Sequence, residues 1–365
     1  MRLPSLFNLP LITLIVPLAA CGLLLSGQGA SAGTAFLLLV ALILIATVLV
    51  AVFHAEVIAH RIGEPLGTLV LALAVTVIEV SLIVSMMLSG GDEVRSLARD
   101  TVFATVMIIC NGVVGICLLL GSIKHRILVF NAEGSSSALS VLAALTTLTL
   151  ILPQFTTTTP GPTYSMSQLA FASLMSLILY LVFVFVQTVR HKDHFLHNLQ
   201  GSEEGAVTHD PAPEPANSWV SFAFLLIALV GVVGLAKQLA PAIESGIKAV
   251  SAPPAVLGIA IALLVLMPET LAALRAARRN QMQTSLNLAL GSALATIGLS
   301  IPAVGVVAIL MGIPLDLGLP AKEIVLLALT LLVSAITVIG GQATIMQGTV
   351  HLVLFAVFLF LAIVP

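Results

Sequence analysis

Eleven long apolar runs dominate this sequence and leave few folds open to it. Most have about 18–25 residues, and a helix of that length crosses the roughly 30 Å hydrocarbon core of a bilayer. Segments rich in Gly, Pro or charge separate the runs, as expected for loops. The sequence therefore predicts an all-α integral membrane protein with about eleven transmembrane helices. The predicted spans are 9–26, 33–53, 66–89, 101–121, 137–153, 167–189, 218–236, 253–274, 285–312, 322–340 and 347–364.

Composition excludes several other classes of protein. Of all residues, 59% are hydrophobic and only 8% are charged, whereas a soluble domain has about 25% charged residues. The formal net charge of −2 does not favour a nucleic-acid partner. The apolar composition instead makes the lipid bilayer the predicted partner. The three cysteines lie in apolar runs and are interpreted as packing residues. No phosphate-binding loop of the G-x-x-x-x-G-K-[ST] type is present, so ATP is not the predicted energy source.

The chain divides into a leading helix and two halves. The first apolar run lacks a clear cleavage site, so residues 1–32 are predicted to hold a retained helix rather than a signal peptide. A polar segment, 190–217, is rich in His, acids and Pro and is predicted to be a loop or partly disordered tether; a regulatory cation sensor is the alternative. Residues 33–189 and 218–365 then hold five predicted helices each.

The distribution of Lys and Arg predicts the orientation in the membrane. With the N-terminus inside, more of these residues fall on the cytoplasmic side than outside. The linker is then cytoplasmic and the C-terminus outside. The predicted cytoplasmic residues are Arg2, Arg61, Lys124, Arg126, Arg190, Lys192, Arg275, Arg278 and Arg279, against Arg95, Arg99, Lys237, Lys248 and Lys322 outside.

Two glutamates occupy corresponding places in the two halves. Glu79 lies in the second predicted helix of the first five, and Glu269 in the second helix of the second five. A carboxylate at bilayer depth costs about 2.5–3.5 kcal/mol on insertion scales, so such residues usually mark an ion or proton pathway. Because five is odd, the halves must enter the membrane from opposite sides. This predicts an inverted repeat with one site near the midplane.

A pair of buried carboxylates suggests how cation and proton transport are coupled. In a low dielectric the pair becomes neutral either by taking up protons or by binding a divalent cation. Because the two outcomes exclude each other, the sequence favours a Ca²⁺/H⁺ antiporter working by alternating access. A monovalent Na⁺ or K⁺ exchanger needs only one essential acid and is the alternative.

Other oxygens must complete a calcium site, since Ca²⁺ takes about six to eight of them. Pro268 has no N–H, so the carbonyl of Leu264 loses its helical donor and becomes a candidate ligand. A hydroxyl in a membrane helix more often bonds to its own helix than to an ion. The candidate hydroxyl ligands are Thr76, Thr105, Ser292 and Thr296.

The segment HAEVIAH near the end of the second helix contains His54, Glu56 and His60. Their spacing does not put both histidines and the acid on one face, and it is not the HExxH zinc pattern. An interfacial polar cap is the favoured interpretation, and a proton or cation path through His54 and Glu56 is an alternative. A membrane-embedded metal-dependent hydrolase that uses this segment is the more distant one.

Three further polar residues lie in or beside apolar runs. Asn111 and Gln342 are expected at depth, where they could line a proton or cation path. His351 is interpreted as a hydrogen-bonding residue of the helix bundle rather than as a metal ligand.

Four stretches of the sequence together resemble a known family. They are GEPLGTLVLALAVTVIEVSLI, DTVFATVMI, LMPETLAALRAARRNQMQTSLNLALGSALATIGLSIP and GQATIMQGTVHLVLF. In this order they resemble the bacterial calcium/proton antiporters of the ChaA type, in the cation/proton-exchanger branch of the calcium/cation antiporter superfamily. The resemblance covers the chain from about Glu56 to its end.

The resemblance implies a fold and a function. It implies an inner-membrane antiporter of Ca²⁺ and H⁺, not an enzyme and without a cofactor, with one leading helix and an inverted repeat of five plus five helices. Members of this type are also associated with Na⁺/H⁺ and K⁺/H⁺ exchange. One essential acid per repeat maps onto Glu79 and Glu269. The usual Gly-Asn pair before the first acid is replaced by Val75 and Thr76, which leaves the rest of the coordination shell, and hence the ion selectivity, open. The sequence makes no prediction of the oligomeric state.

Overall fold

The computed structural model describes residues 5–6, 9–26, 33–62, 66–89, 95–190, 215–249, 253 and 255–364. Within them the chain forms eleven helical rods, one for each predicted span. The helices are α1 (Leu11–Leu25), α2 (Thr34–Ile62), α3 (Leu66–Ser89), α4 (Leu97–His125), α5 (Ala132–Gln154), α6 (Met166–Arg190), α7 (Pro215–Ala249), α8 (Ala255–Arg278), α9 (Met282–Met311), α10 (Ala321–Ile339) and α11 (Ile345–Ile363).

These helices have the lengths that a bilayer requires. In the described part of the chain, nine candidate spans are long and apolar enough to cross a membrane; α1 and the segment Ala72–Met87 are shorter apolar helices. Hydrocarbon offers no partners to backbone N–H and C=O groups, so helices that satisfy their own backbone are favoured. The prediction of an all-α membrane protein is confirmed. Most of the predicted linker, residues 191–214, lies outside the described residues.

Packing divides the chain into two compact units. Unit 1 consists of Met1–Gly91 and Leu199–Ser251 and contains α1, α2, α3 and α7. Unit 2 consists of Asp92–Asn198 and Ala252–Pro365 and contains the other seven helices. Each unit therefore draws helices from both halves of the sequence.

In unit 1, glycines on α7 allow its backbone to approach α1 closely. A Cβ atom added at Gly231 would lie 2.9 Å from the Cβ of Ala20, and one added at Gly234 would lie 2.5 Å from a methyl group of Leu24. Small residues at helix crossings are a common means of packing membrane helices, since lipid is as apolar as the side chains. Helices α2 and α3 complete this unit against α7.

Helix α4 is the centre of unit 2. It is the most buried candidate span in the described residues, with 89% of an 18-residue apolar stretch within it buried. Gly115 on α4 and Gly348 on α11 make the crossing of these helices close. A Cβ added at Gly348 would lie 2.7 Å from the backbone nitrogen of Leu119. Helix α8 packs along another side of α4.

Helices α4 and α8 run in the same direction. Near their first residues Gly258 approaches the backbone of Asp100, and near their last residues Gly121 approaches the carbonyl of Ala277. We call the end of unit 2 where α4, α8 and α10 begin end A, and the end where they finish end B. The third helix of one half and the second helix of the other are parallel, as expected if the halves enter from opposite sides.

Two pairs of short antiparallel strands accompany the helices. Strand β1 (Ser5–Leu6) pairs with β2 (Leu9–Pro10), and β3 (Leu128–Val129) pairs with β4 (Gln342–Ala343) at end B. Gln342 is exposed in β4, so the expectation that it lies at depth is wrong. Gly341 has φ +61°, a conformation that glycine adopts freely and that turns the chain out of α10 before Gln342.

Candidate functional site

Glu79 is buried within unit 1. Its side chain is 1% exposed, and its helix α3 contacts α2 and α7. Thr76, three residues earlier, is 6% exposed and therefore lies on the same side of the helix. Neighbouring apolar residues of α3, such as Ile78 and Ile83, are also buried. The sequence prediction of an acid at depth is consistent with this placement.

Glu269 lies in unit 2 at the level of the middle of α4. It is partly exposed and follows Pro268 inside α8. Because α8 and α4 are parallel and Gly258 meets Asp100, eleven residues along each helix bring Glu269 level with Asn111. At 1.5 Å per residue this level is about 16 Å from the beginning of the contact. That is about half the hydrocarbon thickness of a bilayer.

Helix α4 is π-helical at this level, and α9 contains a π-helical segment closer to end A. The segment Ile108–Val113 in α4 is π-helical, and Thr296–Ser300 is π-helical in α9. Helix α9 contacts the π segment of α4, and the π segment of α9 contacts α4. Such segments often occur at functional sites because the wider turn alters the direction of side chains. The sequence did not predict these changes of helix type.

The predicted supporting ligands lie at different distances along the helices from Glu269. Counting back from the turn between α8 and α9, Ser292 is level with Glu269 and is partly exposed. Thr296 and Leu264 are about 7 Å further toward end A, and Thr105 about 9 Å, at 1.5 Å per residue. Of the candidates in unit 2, Ser292 is therefore the closest to Glu269 in height along the helices. Ligation by any of these residues stays a prediction.

Asn111 is fully buried and holds three helices together. Its Nδ2 group donates to Thr330 Oγ1 on α10 at 2.8 Å, and its Oδ1 faces Nδ1 of His351 on α11 at 3.2 Å. The other ring nitrogen of His351 lies 3.1 Å from Thr337 Oγ1. Asn111 is thus at the predicted depth, but its amide is engaged by these partners. His351 acts as a hydrogen-bonding residue of the bundle, as interpreted from the sequence.

A pattern of polar residues in α10 could have predicted a partner for Asn111. Thr330, Ser334 and Thr337 recur with the spacing of one helix face. A polar stripe on an apolar membrane helix must meet polar partners inside the bundle, because lipid offers none.

His54 lies in the core of unit 1 rather than at an interface. It is 0% exposed, and its Nε2 lies 3.0 Å from the carbonyl oxygen of Thr13. That carbonyl lacks its helical donor because Pro17, four residues on in α1, has no N–H. A carbonyl only accepts, so Nε2 carries the proton. The favoured interpretation of His54 as an interfacial polar cap is therefore wrong.

The other residues of the HAEVIAH segment do not converge with His54. Glu56 and His60 are exposed, whereas His54 is buried. In the described ranges, no group of three or more His, Cys, Asp or Glu side chains is placed to hold a metal ion. The role of Glu56 in an ion path stays a prediction.

Replacing His54 by phenylalanine is expected to destabilise the protein by about 1–3 kcal/mol, because it leaves the Thr13 carbonyl buried without a donor. In a Pro17→Ala background the same replacement is expected to cost less, since residue 17 can then donate to Thr13. A double-mutant cycle of thermal unfolding in detergent measures the difference. Equal costs in both backgrounds would contradict the assignment of this hydrogen bond.

Comparison with known proteins gives a consistent result. The pattern of the family described as "Sodium/calcium exchanger protein" matches residues 31–189 and 220–364. A Sinorhizobium fredii protein named as an ionic transporter is 42% identical over 98% of this chain and 97% of its own. The Escherichia coli sodium-potassium/proton antiporter ChaA is 36% identical over 84% of this chain and 82% of its own.

The fold also matches a solved structure. The structure of native YfkE covers 99% of this chain and 100% of its own chain with a TM-score of 0.71 at 16% identity. A second structure of YfkE describes that protein as a Ca²⁺/H⁺ antiporter. At this level of identity the likeness establishes the antiporter fold.

Proposed function

Because the chain belongs to the sodium/calcium exchanger protein family, we propose that it is a secondary active antiporter that exchanges cytoplasmic Ca²⁺ for protons. The cation and the protons compete for Glu79 and Glu269, and alternating access carries whichever is bound across the membrane. The ions are substrates of this transporter, and the bilayer is its surroundings.

One observation carries the proposal. Each half of the chain has one glutamate in its second helix, within an apolar span. Glu79 is 1% exposed, and Glu269 lies at the level where α4 becomes π-helical. Ionisable residues in such places are costly and usually belong to ion or proton pathways. The segments matched by the family, 31–189 and 220–364, coincide closely with the two predicted halves and support the repeat.

Calcium is the proposed cation because two carboxylates neutralise one divalent ion. Ionised, the pair binds Ca²⁺; protonated, it releases it. The solved structure described as a Ca²⁺/H⁺ antiporter supports this choice through its fold. A second candidate is exchange of Na⁺ or K⁺ for protons, favoured by the name of the E. coli relative, a sodium-potassium/proton antiporter.

The distribution of basic residues supports the proposed orientation in the bacterial inner membrane. Lys124 at the end of α4 donates to the carbonyl of Arg278 at the end of α8, so these predicted cytoplasmic residues meet at end B. Arg99 donates to the carbonyl of Gly318 at end A, where the predicted outside residues lie. With positive charge favoured inside, end B is proposed to face the cytoplasm.

Cation-dependent proton flux tests this function directly. The purified protein is reconstituted in liposomes that contain a pH-sensitive dye, and Ca²⁺, Na⁺ and K⁺ are added side by side. Ca²⁺ is expected to drive proton movement that protein-free liposomes do not show. Movement with Na⁺ or K⁺ but not Ca²⁺ would select the second candidate. No proton movement with any of the three would overturn the proposal.

A further inference from the structure

Basic side chains cluster at end B of unit 2, where α4 and α8 finish. We call this cluster the basic surface. Lys124 donates to the carbonyl of Arg278 at 3.1 Å, and Nε2 of His125 lies 3.4 Å from the same oxygen, so the two helix ends lie side by side. The members of the basic surface are Lys124, His125, Arg126, Arg275, Arg278 and Arg279.

The two ends of unit 2 differ in charge. Among the described residues, end A carries a balanced set: Arg95, Arg99 and Lys322 against Asp100, Asp316 and Glu323. At end B the basic surface brings five Lys and Arg side chains together, and Glu133 is the one acid of the described residues there. Such an excess of one sign attracts ligands of the opposite charge, so end B is suited to an anion.

The guanidinium groups of the basic surface are accessible to an external anion. Its four arginines are all exposed, and within the described ranges none of them is paired with a carboxylate. At end A, by contrast, Arg99 is paired with Asp100 at 2.8 Å. A guanidinium group presents parallel N–H donors that match two oxygens of a phosphate. The chemistry of the surface therefore fits a phosphate group.

An apolar stripe on α8 leads to the basic surface. Leu263, Met267 and Leu271 are four residues apart and are 47%, 39% and 46% exposed. Arg275 continues the same spacing and is also exposed. Residues four apart lie on one face of a helix. A ligand with an apolar body and a phosphate at one end can therefore contact the stripe and the guanidinium groups together.

The apolar stripe and Glu269 lie on opposite faces of α8. Gly258, where α8 meets the backbone of Asp100, is eleven residues before Glu269. Eleven residues are about three turns, so both lie on the face toward α4. Met267, two residues before Glu269, is turned from it by about 160°. A ligand along the stripe therefore lies outside the proposed transport site.

Arg275 and Arg278 lie at the height of lipid headgroups. They follow Glu269 by six and nine residues, which are about 9 and 14 Å along the helix. Glu269 is level with the middle of α4, and half of the hydrocarbon layer is about 15 Å thick. Long arginine side chains extend further toward the headgroups while their stems stay on apolar surface. The stripe is then at the depth of the acyl chains.

We propose that end B binds the phosphate headgroup of an anionic glycerophospholipid, whose acyl chains lie along the apolar stripe of α8. The arginines contact the phosphate, and the stripe contacts the chains. Clusters of Lys and Arg next to membrane helices are typical of surfaces that bind anionic lipids. The bound lipid holds the end of α8 against that of α4 and stabilises the folded protein, because a ligand that binds only the folded state does so. The proposal does not depend on which cation is transported.

Thermal unfolding of the full chain in mixed micelles tests the proposal. The micelles contain either phosphatidylglycerol or phosphatidylcholine with the same acyl chains. Phosphatidylglycerol is expected to raise the Tm of wild type by several degrees relative to phosphatidylcholine. In Arg275→Gln/Arg278→Gln this difference is expected to fall by about half or more. An equal Tm of wild type in both lipids, or an undiminished difference in the variant, would overturn the proposal.

The matched control is Arg95→Gln/Lys322→Gln, which removes two positive charges at end A. It is expected to keep the wild-type difference between the two lipids, whatever its own Tm. A loss as large as that of the end B variant would show that net charge, rather than the basic surface, selects the lipid, and the proposal would be wrong. Because unfolding is measured without transport, failure of the antiport function would show separately, as absence of cation-driven flux in wild type.

Two further arms distinguish the lipid from other anions. Inorganic phosphate, added to phosphatidylcholine micelles at the same concentration, is expected to leave the Tm unchanged. A rise as large as that with phosphatidylglycerol would contradict a lipid ligand. A response to phosphatidylglycerol that appears only after Glu203 and Glu204 are both replaced by glutamine would also contradict it, since acids of the chain itself would then compete for the basic surface. These two glutamates lie outside the described residues.

Discussion

Replacing either Glu79 or Glu269 alone by glutamine is expected to abolish Ca²⁺-driven proton flux. Glutamine keeps the size of the side chain but removes one of the two negative charges proposed to hold the divalent ion. Removing the charged partner of a buried ion costs about 3–5 kcal/mol, and Ca²⁺ in the proposed site is such an ion. Since about 1.4 kcal/mol is a factor of ten, the initial rate is expected to fall by at least about 100-fold. The rate is measured in liposomes that contain equal amounts of folded protein.

The matched control for both variants is Glu133→Gln, an exposed acid in the first turn of α5. It is expected to retain transport within about two-fold, because a charge at an exposed helix end contributes only about 0.3–1 kcal/mol to stability. Full Ca²⁺-driven flux in either Glu79→Gln or Glu269→Gln would contradict a site with two carboxylates. Loss in one variant with full Na⁺- or K⁺-driven flux in the other would favour the monovalent alternative.

The replacement Gly258→Ala is expected to lower both stability and transport. An added Cβ would lie 2.8 Å from the carbonyl carbon of Asp100 and 2.9 Å from the nitrogen of Thr101. Because these are backbone atoms, α8 must move away from α4. Such overpacking costs about 1–3 kcal/mol, which lowers the Tm by several degrees. The displacement also carries Glu269 away from the π segment of α4, so the proton flux is expected to fall.

The control is Gly291→Ala on α9, where an added Cβ meets nothing within 4 Å. Alanine favours a helix over glycine by about 1 kcal/mol, so the Tm of this variant is expected to stay level or rise. Thermal unfolding of the two variants in the same detergent makes the comparison. An unchanged Tm in Gly258→Ala would contradict the close approach of α8 to α4.

The placement of polar residues was less predictable from sequence than the helices were. His54 was interpreted as an interfacial cap because it lies near the end of an apolar run. Its partner, the Thr13 carbonyl, is 41 residues away in the sequence. Pro17 is visible in the sequence, but which side chain reaches the carbonyl that it frees depends on how α1 and α2 pack. Gln342 was misplaced because Gly341 ends α10 through a backbone turn.

The sequence by itself determined the number and order of the helices and the two acids within them. Hydrophobicity is a local property, and the bilayer thickness sets the length of each span. Only the tertiary structure decided which polar groups meet. Asn111 and His351 are 240 residues apart in the sequence, and they come into contact because glycines allow α4 and α11 to approach closely. In hydrocarbon a polar side chain must find its partner within the protein, so the packing of the helices determines what each of these residues can do.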